Sequence, residues 1–494
     1  MDITTNAPVT KTQFLSYLDC KEETWMSRNM DMPRQELDPL LQLAIEDGRR
    51  VDQLAKEYFE IPGLVEQVFG APGTVSLQET FEVEGKYKVI TDVVFYPASG
   101  GPLTLVEVKG TTAKYDKNDQ LKPEAKHITD LAFQQFVLEA KGVEVGRTGL
   151  LLLSRDYRYA ASGISLEGLF RYGEVTKHTT ALHAEIAELA PQALAFLQGP
   201  EPAAWDYTVC ANKGKCKWML RTTELPAYSI FSLNGARIKH LQGLLDQRVL
   251  DIQDVPENAD LFKNMIRQVE VAQHDIHHKD QAAINAELAK LPYPHYFLDY
   301  ETVSVAVPDV EGMWPYQRLA FQYSLHIQSE PGGGLLHREC LLTNRQDGML
   351  PLLKQLKNDI PHDTGGTVIV WNKGFEKSVN KDMAETYPAY ATYLNGLNDR
   401  VWDLMDVFKG SWVEHPKFYG SASIKKVLPA LKPEFNYNDL AIGEGGTASY
   451  MWHLLSTGKI EADKVETLRK ELLEYCEQDT MAMVVLMDWA RPAM

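Results

Sequence analysis

The chain has 494 residues, of which 44% are hydrophobic and 24% are charged. This composition excludes general disorder and supplies enough apolar side chains for more than one compact domain. The formal net charge of −18 argues against a protein that coats nucleic acid through a generally basic surface. Residues Met1 to Lys11 lack a signal-peptide pattern, and the apolar run Gly149–Leu153 is far shorter than the roughly 20 residues that cross a bilayer. We therefore expect a cytoplasmic protein that does not bind a membrane.

The predicted elements of the first half are a helix, a hairpin, a second helix and a buried strand. Residues 36–59 have apolar side chains at helical spacing. Two strand-like runs between Thr80 and Val108 are separated by the turn cluster Ala98–Pro102. Helical spacing returns at 127–140, and Gly149–Leu153 has the pattern of a fully buried strand. This order predicts an α/β core.

The second half begins with a mostly helical stretch at 182–291, which ends at the boundary sequence Leu291–Pro294. Three strands, a helix and a strand follow, before further helices. They are predicted at 296–300, 319–327, 339–342, 349–357 and 367–371. Three leading strands followed by alternating helix and strand favour an RNase H-like layout.

Asp92, Glu107 and Lys109 form the most specific pattern of the first half. Glu107 and Lys109 are two apart in a strand, so they share a face, and a paired strand can bring Asp92 beside them. Hydrolysis of a phosphodiester needs oxygen ligands for Mg²⁺ or Mn²⁺ and a cation near the attacking water or the phosphate. The alternative is a solvated cross-strand charge pair without chemistry.

This hairpin, followed by a helix that contains Ala132–Gln135, resembles the RecB, AddB and CRISPR-adaptation nucleases over residues 12–225. The resemblance implies a PD-(D/E)XK restriction-endonuclease-like fold, with Gln134 assisting near the catalytic residues. Gly48–Asp52 resembles a further segment of that group, with Asp52 in place of the usual metal-binding histidine. Asp52 either ligates Mg²⁺ or takes no part in metal binding.

Three cysteines flank this region, Cys20 before the hairpin and Cys210 and Cys216 after it. Soft thiolates from distant segments can close on one metal centre. Many nucleases of the group hold an iron–sulfur cluster with four cysteines, and the resemblance implies such a cluster here, with Thr222 near the position of the missing ligand. The alternatives are a cluster with an open site, zinc with a fourth ligand from elsewhere, or buried thiols without a metal.

The second half carries two further acidic motifs. The apolar run Tyr296–Thr302 ends in Asp299-x-Glu301, which directs two carboxylates to one side of a strand end. Such a pair is costly unless cations lie between the two groups. Tyr475 and Asp479 are four apart in a predicted helix and share one face. The two patterns resemble the first and last motifs of the tyrosine subtype of DEDD exonucleases.

Between these motifs, Trp371–Glu376 resembles the middle motif of that family, with Glu376 where aspartate is typical. Asp403, within Val401–Leu404, is a rival ligand. The resemblance implies two metal ions about 4 Å apart at the scissile phosphate, with Tyr475 orienting the attacking water. The alternative is that the acidic residues cap turns and the tyrosine fills the core.

Together with Gly420–Pro429, these motifs resemble a bacterial family that fuses both nuclease types. We therefore expect a PD-(D/E)XK nuclease domain at 1–225, a helical connector at 226–291 and an RNase H-like DEDD exonuclease domain at 292–494. The expected function is Mg²⁺- or Mn²⁺-dependent hydrolysis of DNA, in repair or in defence against foreign DNA. The alternatives are an RNA-directed 3′ to 5′ exonuclease and an acidic interaction protein that has lost its chemistry. A protein partner stays open.

Overall fold

The computed structural model describes residues 7–32, 37–210, 216–409, 412–435, 437 and 440–492. They form a mixed α/β protein, as the order of predicted elements indicated. The chain divides into two compact units. Unit 1 comprises Met1–Glu224, Val305–Asp309 and Trp314–Tyr316, and unit 2 comprises Leu225–Ser304, Val310–Met313 and Gln317–Met494. The predicted connector at 226–291 is thus grouped with unit 2. Among the described helices, none has the length and apolar character of a membrane span.

Unit 1 contains two mixed sheets with helices beside them. Its strands are β1 (Val9–Thr10), β2 (Gly73–Leu77), β3 (Thr80–Val83), β4 (Tyr87–Ile90), β5 (Val93–Pro97), β6 (Leu103–Thr112), β7 (Val145–Leu153) and β8 (Phe170–Glu174). Its helices are α1 (Lys11–Asp19), α2 (Lys21–Asn29), α3 (Pro39–Phe59), α4 (Leu64–Phe69), α5 (Ala125–Ala140), α6 (Leu166–Leu169), α7 (Thr176–Leu197) and α8 (Lys217–Thr222).

The main sheet of unit 1 has the order β2-β5-β6-β7-β8, and a smaller sheet has the order β1-β4-β3. β6 and β7 are parallel, whereas β5 and β6 form the predicted antiparallel hairpin. The prediction of one strand-like run over Phe81–Pro97 is wrong, because the chain divides there into β3, β4 and β5. Gly85 has φ +65° in the turn between β3 and β4, a conformation that a side chain disfavours.

Alternating residues of β6 face two different helices. Val106 and Val108 belong to an apolar core that includes Leu54 of α3. Glu107, on the opposite face, is hydrogen bonded by Gln134 of α5. The sheet therefore buries a charged residue under α5 and an apolar layer under α3.

Unit 2 contains a second mixed sheet and a larger share of helix. Its strands are β9 (His278–Lys279), β10 (His295–Ser304), β11 (Arg318–Gln328), β12 (Leu335–Leu341), β13 (Thr367–Val370), β14 (Val401–Asp403) and β15 (Val413–Glu414). Its helices are α9 (Ile238–Leu245), α10 (Lys263–Gln273), α11 (Gln281–Leu288), α12 (Leu350–Asp359), α13 (Lys373–Thr386), α14 (Ala391–Asp399), α15 (Met405–Phe408), α16 (Ile424–Leu431), α17 (Gly445–Ser456) and α18 (Val465–Ala490).

The main sheet of unit 2 has the order β12-β11-β10-β13-β14. β12, β11 and β10 are antiparallel neighbours, and β13 and β14 continue the sheet in parallel with β10. α18 packs on β10 and β11, and Gln322 of β11 donates from its amide to the Leu472 carbonyl at 2.8 Å. Apolar residues of α18, among them Met483 and Met487, share a core with Phe297 and Ile369 of the sheet. These contacts fix the helix over the strand that carries the first acidic motif.

Candidate functional site

β10 and α18 of unit 2 bring together the acidic residues of the first and last motifs. Asp299 and Glu301 are two apart on β10, so their side chains leave the same face of the sheet. Tyr475 and Asp479 lie one helical turn apart on α18. Asp299, Glu301 and Asp479 each place a carboxylate oxygen within 4.8 Å of the other two. We call this group of three the acidic centre.

Two side chains from other segments contact residues at the acidic centre: Tyr437 contacts Asp479, and Lys425 contacts Tyr475. The Tyr437 hydroxyl donates to Asp479 Oδ1 at 2.6 Å. The Lys425 ammonium donates to Tyr475 Oη at 3.2 Å and to the Gly443 carbonyl at 2.6 Å. Because Lys425 supplies a proton to Tyr475 Oη, the phenol can direct its own proton to another acceptor.

Electrostatics in the acidic centre favour bound cations. Burial raises the pKa of Asp299 well above its usual value, and the neighbouring Asp479 raises it further. Burial raises the pKa of Glu301 in the same way, with added repulsion from Asp299. Burial also raises the pKa of Asp479, although the Tyr437 hydroxyl and Lys425 oppose this effect. Clustered oxygen donors that resist ionisation fit Mg²⁺ or Mn²⁺, since a cation offsets the repulsion between the carboxylates.

Glu376 lies in the first turn of α13, close enough to the acidic centre to interact electrostatically. Its residue is 1% exposed, and its Oε2 has no hydrogen-bond partner among the described residues. Burial raises the pKa of Glu376 well above its usual value, and Asp299 and Glu301 raise it further. A buried oxygen without a partner is costly unless a ligand satisfies it. Glu376 is therefore a candidate fourth carboxylate for a metal ion.

Asp403, the rival ligand, is engaged with the backbone. Its Oδ1 accepts from the N–H groups of Asn372 at 3.0 Å and Met405 at 3.1 Å, and its Oδ2 accepts from that of Lys373 at 2.9 Å. The carboxylate thus satisfies free N–H groups at the start of α13. Through α13, Asp403 positions Glu376.

Gly445, the first residue of α17, lies against the acidic centre. A Cβ atom at this position would lie 3.6 Å from Glu301 Oε2 and 3.7 Å from Tyr475 Oη. These are ordinary van der Waals distances, so alanine fits there. A longer side chain would enter the space beside the carboxylates.

In unit 1, Glu107 and Lys109 meet as predicted from the β6 pattern, but other residues join them. Glu107 Oε1 accepts from the ammonium groups of Lys11 and Lys109, each at 2.7 Å. The Gln134 amide donates to Glu107 Oε2 at 2.6 Å and to Asp130 Oδ1 at 2.8 Å. Lys109 also donates to Asp130 Oδ2 at 2.7 Å. Both oxygens of Glu107 are therefore occupied by protein donors.

Asp92 and Glu107 have opposite pKa shifts. Although burial of Glu107 opposes its ionisation, Lys109 and Lys11 lower its pKa to about 2. Burial and the Glu107 charge raise the pKa of Asp92 to about 7, while the Val108 N–H donates to Asp92 Oδ2 at 2.9 Å. A metal ion bound by Glu107 would have to displace an ammonium or amide donor. As arranged, the unit 1 residues do not fit such an ion.

Asp52, at the position of the usual histidine, is exposed on α3. It lines a small cavity together with Asp92, Lys56 and Val108. Asp52 and Asp92 therefore line the same cavity beside the hairpin.

Two of the predicted cysteines lie side by side. Cys20 Sγ and Cys216 Sγ are 3.6 Å apart, and Glu23 places a ligand oxygen within 4.8 Å of both. Two thiolates on a tetrahedral zinc ion lie about 3.8 Å apart, given Zn–S bonds of about 2.3 Å. The donor set Cys20, Cys216 and Glu23 fits zinc.

Cys210 is outside this group of three, and residues 211–215 lie outside the described part of the chain. Thr222, near the expected fourth cysteine, donates its hydroxyl to the Trp218 carbonyl at 3.0 Å. The described residues therefore do not provide four thiolates for an iron–sulfur cluster. A cluster on Cys20, Cys210 and Cys216 stays a prediction.

A cleft of about 990 Å³ lies within unit 2. Lys263 of α10 and Lys409, which follows α15, line it with exposed side chains. Ser423, which also lines the cleft, is two residues before Lys425 of α16 in the sequence. The cleft therefore lies along the segment that leads to the acidic centre.

The fold and these side-chain groups define a mixed α/β protein with a candidate site for divalent metal ions in unit 2. The family model that matches residues 296–423 is described as a domain of unknown function (DUF2779). This match includes Asp299, Glu301 and Glu376 but ends before Tyr475.

Similar curated proteins come from bacteria of two related genera. "Uncharacterized protein UU173" of Ureaplasma parvum is 26% identical over 42% of this chain and 32% of the relative. "Uncharacterized protein MG366 homolog" of Mycoplasma pneumoniae is 25% identical over 40% of this chain and 32% of the relative. The chain thus spans about a third of the length of these relatives.

Sequence reasoning assigned no role to Lys11, Asp130, Tyr437 or Lys425. Apart from the Asp130 contact with Gln134, their partners are distant in sequence, 96 residues away for Lys11, 42 for Tyr437 and 50 for Lys425. No local spacing reports such a pairing. Only Lys425 lies in a stretch that the sequence singled out, Gly420–Pro429.

Proposed function

We propose that the chain is a metal-dependent nuclease and that the acidic centre of unit 2 is its main catalytic site. The observation that carries this proposal is the convergence of Asp299, Glu301 and Asp479 oxygens within 4.8 Å of one another. Tyr475, one turn before Asp479, supports a DEDD exonuclease of the tyrosine subtype. Three antiparallel strands continued by two parallel strands support an RNase H-like classification of unit 2.

Bound Mg²⁺ or Mn²⁺ would supply Lewis acidity to the phosphodiester and lower the pKa of an attacking water. In this proposal Asp299, Glu301 and Asp479 hold the cations, and Glu376 offers the oxygen that lacks a protein partner. All four side chains are negatively charged oxygen donors, which suits hard cations.

Tyr475 and Lys425 have a positioning role in this proposal. Burial and the nearby Asp479 raise the pKa of Tyr475, so its phenol keeps its proton. Lys425 fixes Tyr475 Oη by donating to it. The Tyr475 hydroxyl also hydrogen bonds Asp479, so its proton would have to turn from that carboxylate to the water that attacks the phosphorus.

The cleft supports a polyanionic substrate. Lys263 and Lys409 bring two cations to it, while Arg267 is paired with Glu414 at 3.1 Å. A local excess of positive charge stands out in a chain with a net charge of −18. Because the lining continues to Ser423, a bound strand could extend from the cleft towards Lys425 and the acidic centre.

The test of the unit 2 proposal measures release of nucleotides from 5′-labelled DNA and RNA by the full chain in Mn²⁺. We expect stepwise release from the 3′ end, abolition by a 3′ block and a loss far above 100-fold in Asp299→Ala. Tyr475→Phe should lose less activity, because the carboxylates remain. Glu474→Ala, an exposed acidic residue on the same helix, is the matched control and should keep wild-type activity.

Cleavage that ignores the 3′ block, or an Asp299→Ala protein as active as the wild type, would remove the basis for this assignment. The assay uses four substrates, which are single- and double-stranded DNA and RNA. The substrate that is degraded decides between a DNA exonuclease and the alternative of an RNA exonuclease. Inactivity on all of them favours the interaction-protein alternative.

Unit 1 is a second candidate nuclease site, of the PD-(D/E)XK type. The observation that favours it is the convergence of Lys109 with buried Glu107, in a hairpin that also carries Asp92. A metal ion could bind Glu107 there only by displacing one of its ammonium or amide donors. The test compares Asp299→Ala with Asp299→Ala/Glu107→Ala/Lys109→Ala. If unit 1 is a nuclease, activity that remains in the first protein is lost in the second, while circular dichroism stays unchanged. Equal residual rates in the two folded proteins count against the unit 1 site.

The biological role that this proposal favours is processing of DNA, in repair or in defence against foreign DNA. Its support is the resemblance of both motif sets to bacterial nucleases.

A further inference from the structure

Two histidines and a glutamate form a separate cluster between the sheet of unit 2 and α18. His326 of β11 and His337 of β12 are directly paired across the strands, and their rings stack with centroids 4.6 Å apart. A ligand atom from each histidine and from Glu477 lies within 4.8 Å of the other two. Glu477 is two residues from Asp479 on α18, which turns it about 200° away from the acidic centre. None of the sequence motifs contains either histidine.

Hydroxyl groups connect the inner nitrogens of the two histidines. His337 Nε2 is 3.0 Å from Ser324 Oγ, which is 2.7 Å from Thr480 Oγ1, and Thr480 Oγ1 is 2.9 Å from His326 Nδ1. Thr480 also donates to the Glu477 carbonyl at 3.0 Å. When Thr480 donates its single hydroxyl proton to that carbonyl, its oxygen can only accept from the other two partners.

One arrangement of the protons satisfies all of these hydrogen bonds. Since Thr480 has no second proton, it accepts from His326 Nδ1–H and from the Ser324 hydroxyl. Ser324 has then used its own proton and accepts from His337 Nε2–H. In the neutral imidazoles, His326 Nε2 and His337 Nδ1 are therefore left as lone-pair acceptors.

These lone pairs meet a carboxylate rather than a donor. His337 Nδ1 is 3.7 Å from Glu477 Oε1, and both atoms are acceptors when His337 is neutral. Two imidazole nitrogens and a carboxylate oxygen that converge within 4.8 Å of one another form a donor set that suits a metal cation.

We infer that His326, His337 and Glu477 bind a divalent transition-metal ion, of which Zn²⁺ is the best fit. Imidazole nitrogens with a carboxylate are zinc ligands, whereas Mg²⁺ takes oxygen ligands, so this site differs in chemistry from the acidic centre. Ser324 and Thr480 orient the rings from behind, as hydrogen-bond partners do for metal-bound histidines.

Water or Glu339 supplies the fourth ligand of this ion. Glu339 is two residues from His337 on β12 and faces the same side of the sheet. The bound ion joins β11 and β12 to α18. It therefore holds the helix that carries Tyr475 and Asp479 at a fixed rotation over the sheet.

The experiment measures zinc per chain by elemental analysis, after dialysis against Zn²⁺ in excess Mg²⁺ that occupies the acidic centre. The parent protein is Cys20→Ser/Cys216→Ser, which removes the thiolate pair. We expect one zinc per parent chain and none in His337→Gln or Glu477→Gln. His183→Gln is the matched control. His183 pairs with Glu139 at 2.7 Å and belongs to none of the described metal-binding groups, so the His183→Gln protein should bind as much zinc as the parent.

The Glu477→Gln variant distinguishes loss of a zinc ligand from misfolding. The Glu477 side chain is 46% exposed, so this variant should fold normally. Circular dichroism checks this for each variant. A parent without zinc, or zinc that persists in both His337→Gln and Glu477→Gln, overturns the inference. A protonated His337 paired with Glu477 would then account for the cluster.

Discussion

At the residue scale, Asp92 and Glu107 illustrate how partners decide the charge of a buried carboxyl group. Glu107 has two ammonium groups at 2.7 Å, and its pKa falls to about 2. Asp92 has a single backbone N–H at 2.9 Å and the Glu107 charge beside it, and its pKa rises to about 7. Two acids of one hairpin therefore contribute to stability with opposite dependence on pH.

The Asp92 shift predicts a loss of stability as pH rises. In the unfolded chain the pKa of Asp92 is about 3.9, so between pH 4 and 7 the unfolded state releases a proton that the folded state keeps. The free energy of unfolding should fall between pH 5 and pH 7 by about 2 kcal/mol, and Asp92→Asn should remove that fall. Urea unfolding at pH 5 and pH 7 without divalent ions measures both proteins. An identical change in the two would contradict the raised pKa of Asp92.

The contribution of Glu107 to stability changes with pH in the opposite direction. Its lowered pKa contributes stability that is present above about pH 4.3 and is lost as pH falls through about 2. Glu107→Ala leaves Lys11 and Lys109 with Asp130 as their remaining close carboxylate, so it should destabilise unit 1 by about 3 kcal/mol. Glu124→Ala, which removes a partly buried acid paired with the exposed Lys114 and Lys126, should cost less than about 1 kcal/mol in the same urea measurement. Equal costs would mean that Glu107 is not the centre of the charge cluster.

Lys425 is a positioning residue for Tyr475, and its loss should affect turnover more than binding. Lys425→Met should lower kcat by about 100-fold with little change in KM, since the phenol loses the donor that fixes it. Tyr475→Phe added to Lys425→Met should cost little more, because both act through one hydroxyl. Lys426→Met, at the neighbouring exposed position, is the control. Additive losses of kcat in the double variant would mean that Lys425 and Tyr475 act independently.

At the element scale, the start of α13 depends on a carboxylate from another strand. Asp403 accepts three backbone N–H groups, two of them from Asn372 and Lys373. Asn372 has φ +82°, so the turn into the helix is held in an uncommon conformation. The helix that carries Glu376 is thus anchored outside its own sequence.

Asp403→Ala should therefore destabilise unit 2 by about 2 kcal/mol, which is typical of charged hydrogen bonds at a helix start. Because Glu376 then moves, nuclease activity should fall as well. Asp399→Ala, at the exposed end of α14, should change neither quantity. Urea unfolding and the nucleotide-release assay measure the two effects, and loss of activity without loss of stability would make Asp403 a ligand instead.

Elements with a strong local pattern could be predicted from the sequence, and junctions between them could not. The predicted helix at 36–59 corresponds to α3, and the strand predicted at 319–327 corresponds to β11. The run Phe81–Pro97 was not resolved into three strands, because its alternation of apolar and polar residues continues across the turns. Hydrophobic periodicity reports which face is buried but not where a strand changes sheets.

The candidate site divides in the same way. Asp299-x-Glu301 and Tyr475-x-x-x-Asp479 have spacings of two and four, which a strand and a helix convert directly into shared faces. Lys425 reaches Tyr475 only because α16 and α18 pack together, and no spacing within one element contains that information.

At the scale of the whole molecule, an acidic chain has to attract a polyanion through local charge. The cleft of unit 2 presents Lys263 and Lys409. Lys263→Ala/Lys409→Ala should weaken binding of a catalytically inactive Asp299→Ala protein to single-stranded nucleic acid. The salt dependence should also flatten, with the slope of log K against log salt reduced by about 1.4 for two lost phosphate contacts.

The control for this experiment is Lys290→Ala/Lys470→Ala, which removes two exposed lysines of unit 2 away from the cleft. Fluorescence anisotropy at several salt concentrations provides the slopes. If both pairs of substitutions flatten the slope equally, the cleft is not the route of the strand.

α18 places different residues on several of its faces, and this restricts how the gene can vary. Deleting or inserting one codon upstream of Tyr475 within the helix would rotate everything after it by about 100°. That rotation would withdraw Asp479 from Asp299, and Thr480 from Ser324, at the same time. Point substitutions on the solvent-exposed face of α18 do not change the rotation of Asp479 and Thr480 about the helix axis. Natural variants of the chain should therefore differ by substitution within Val465–Ala490, and length changes should accumulate in the loops before and after it.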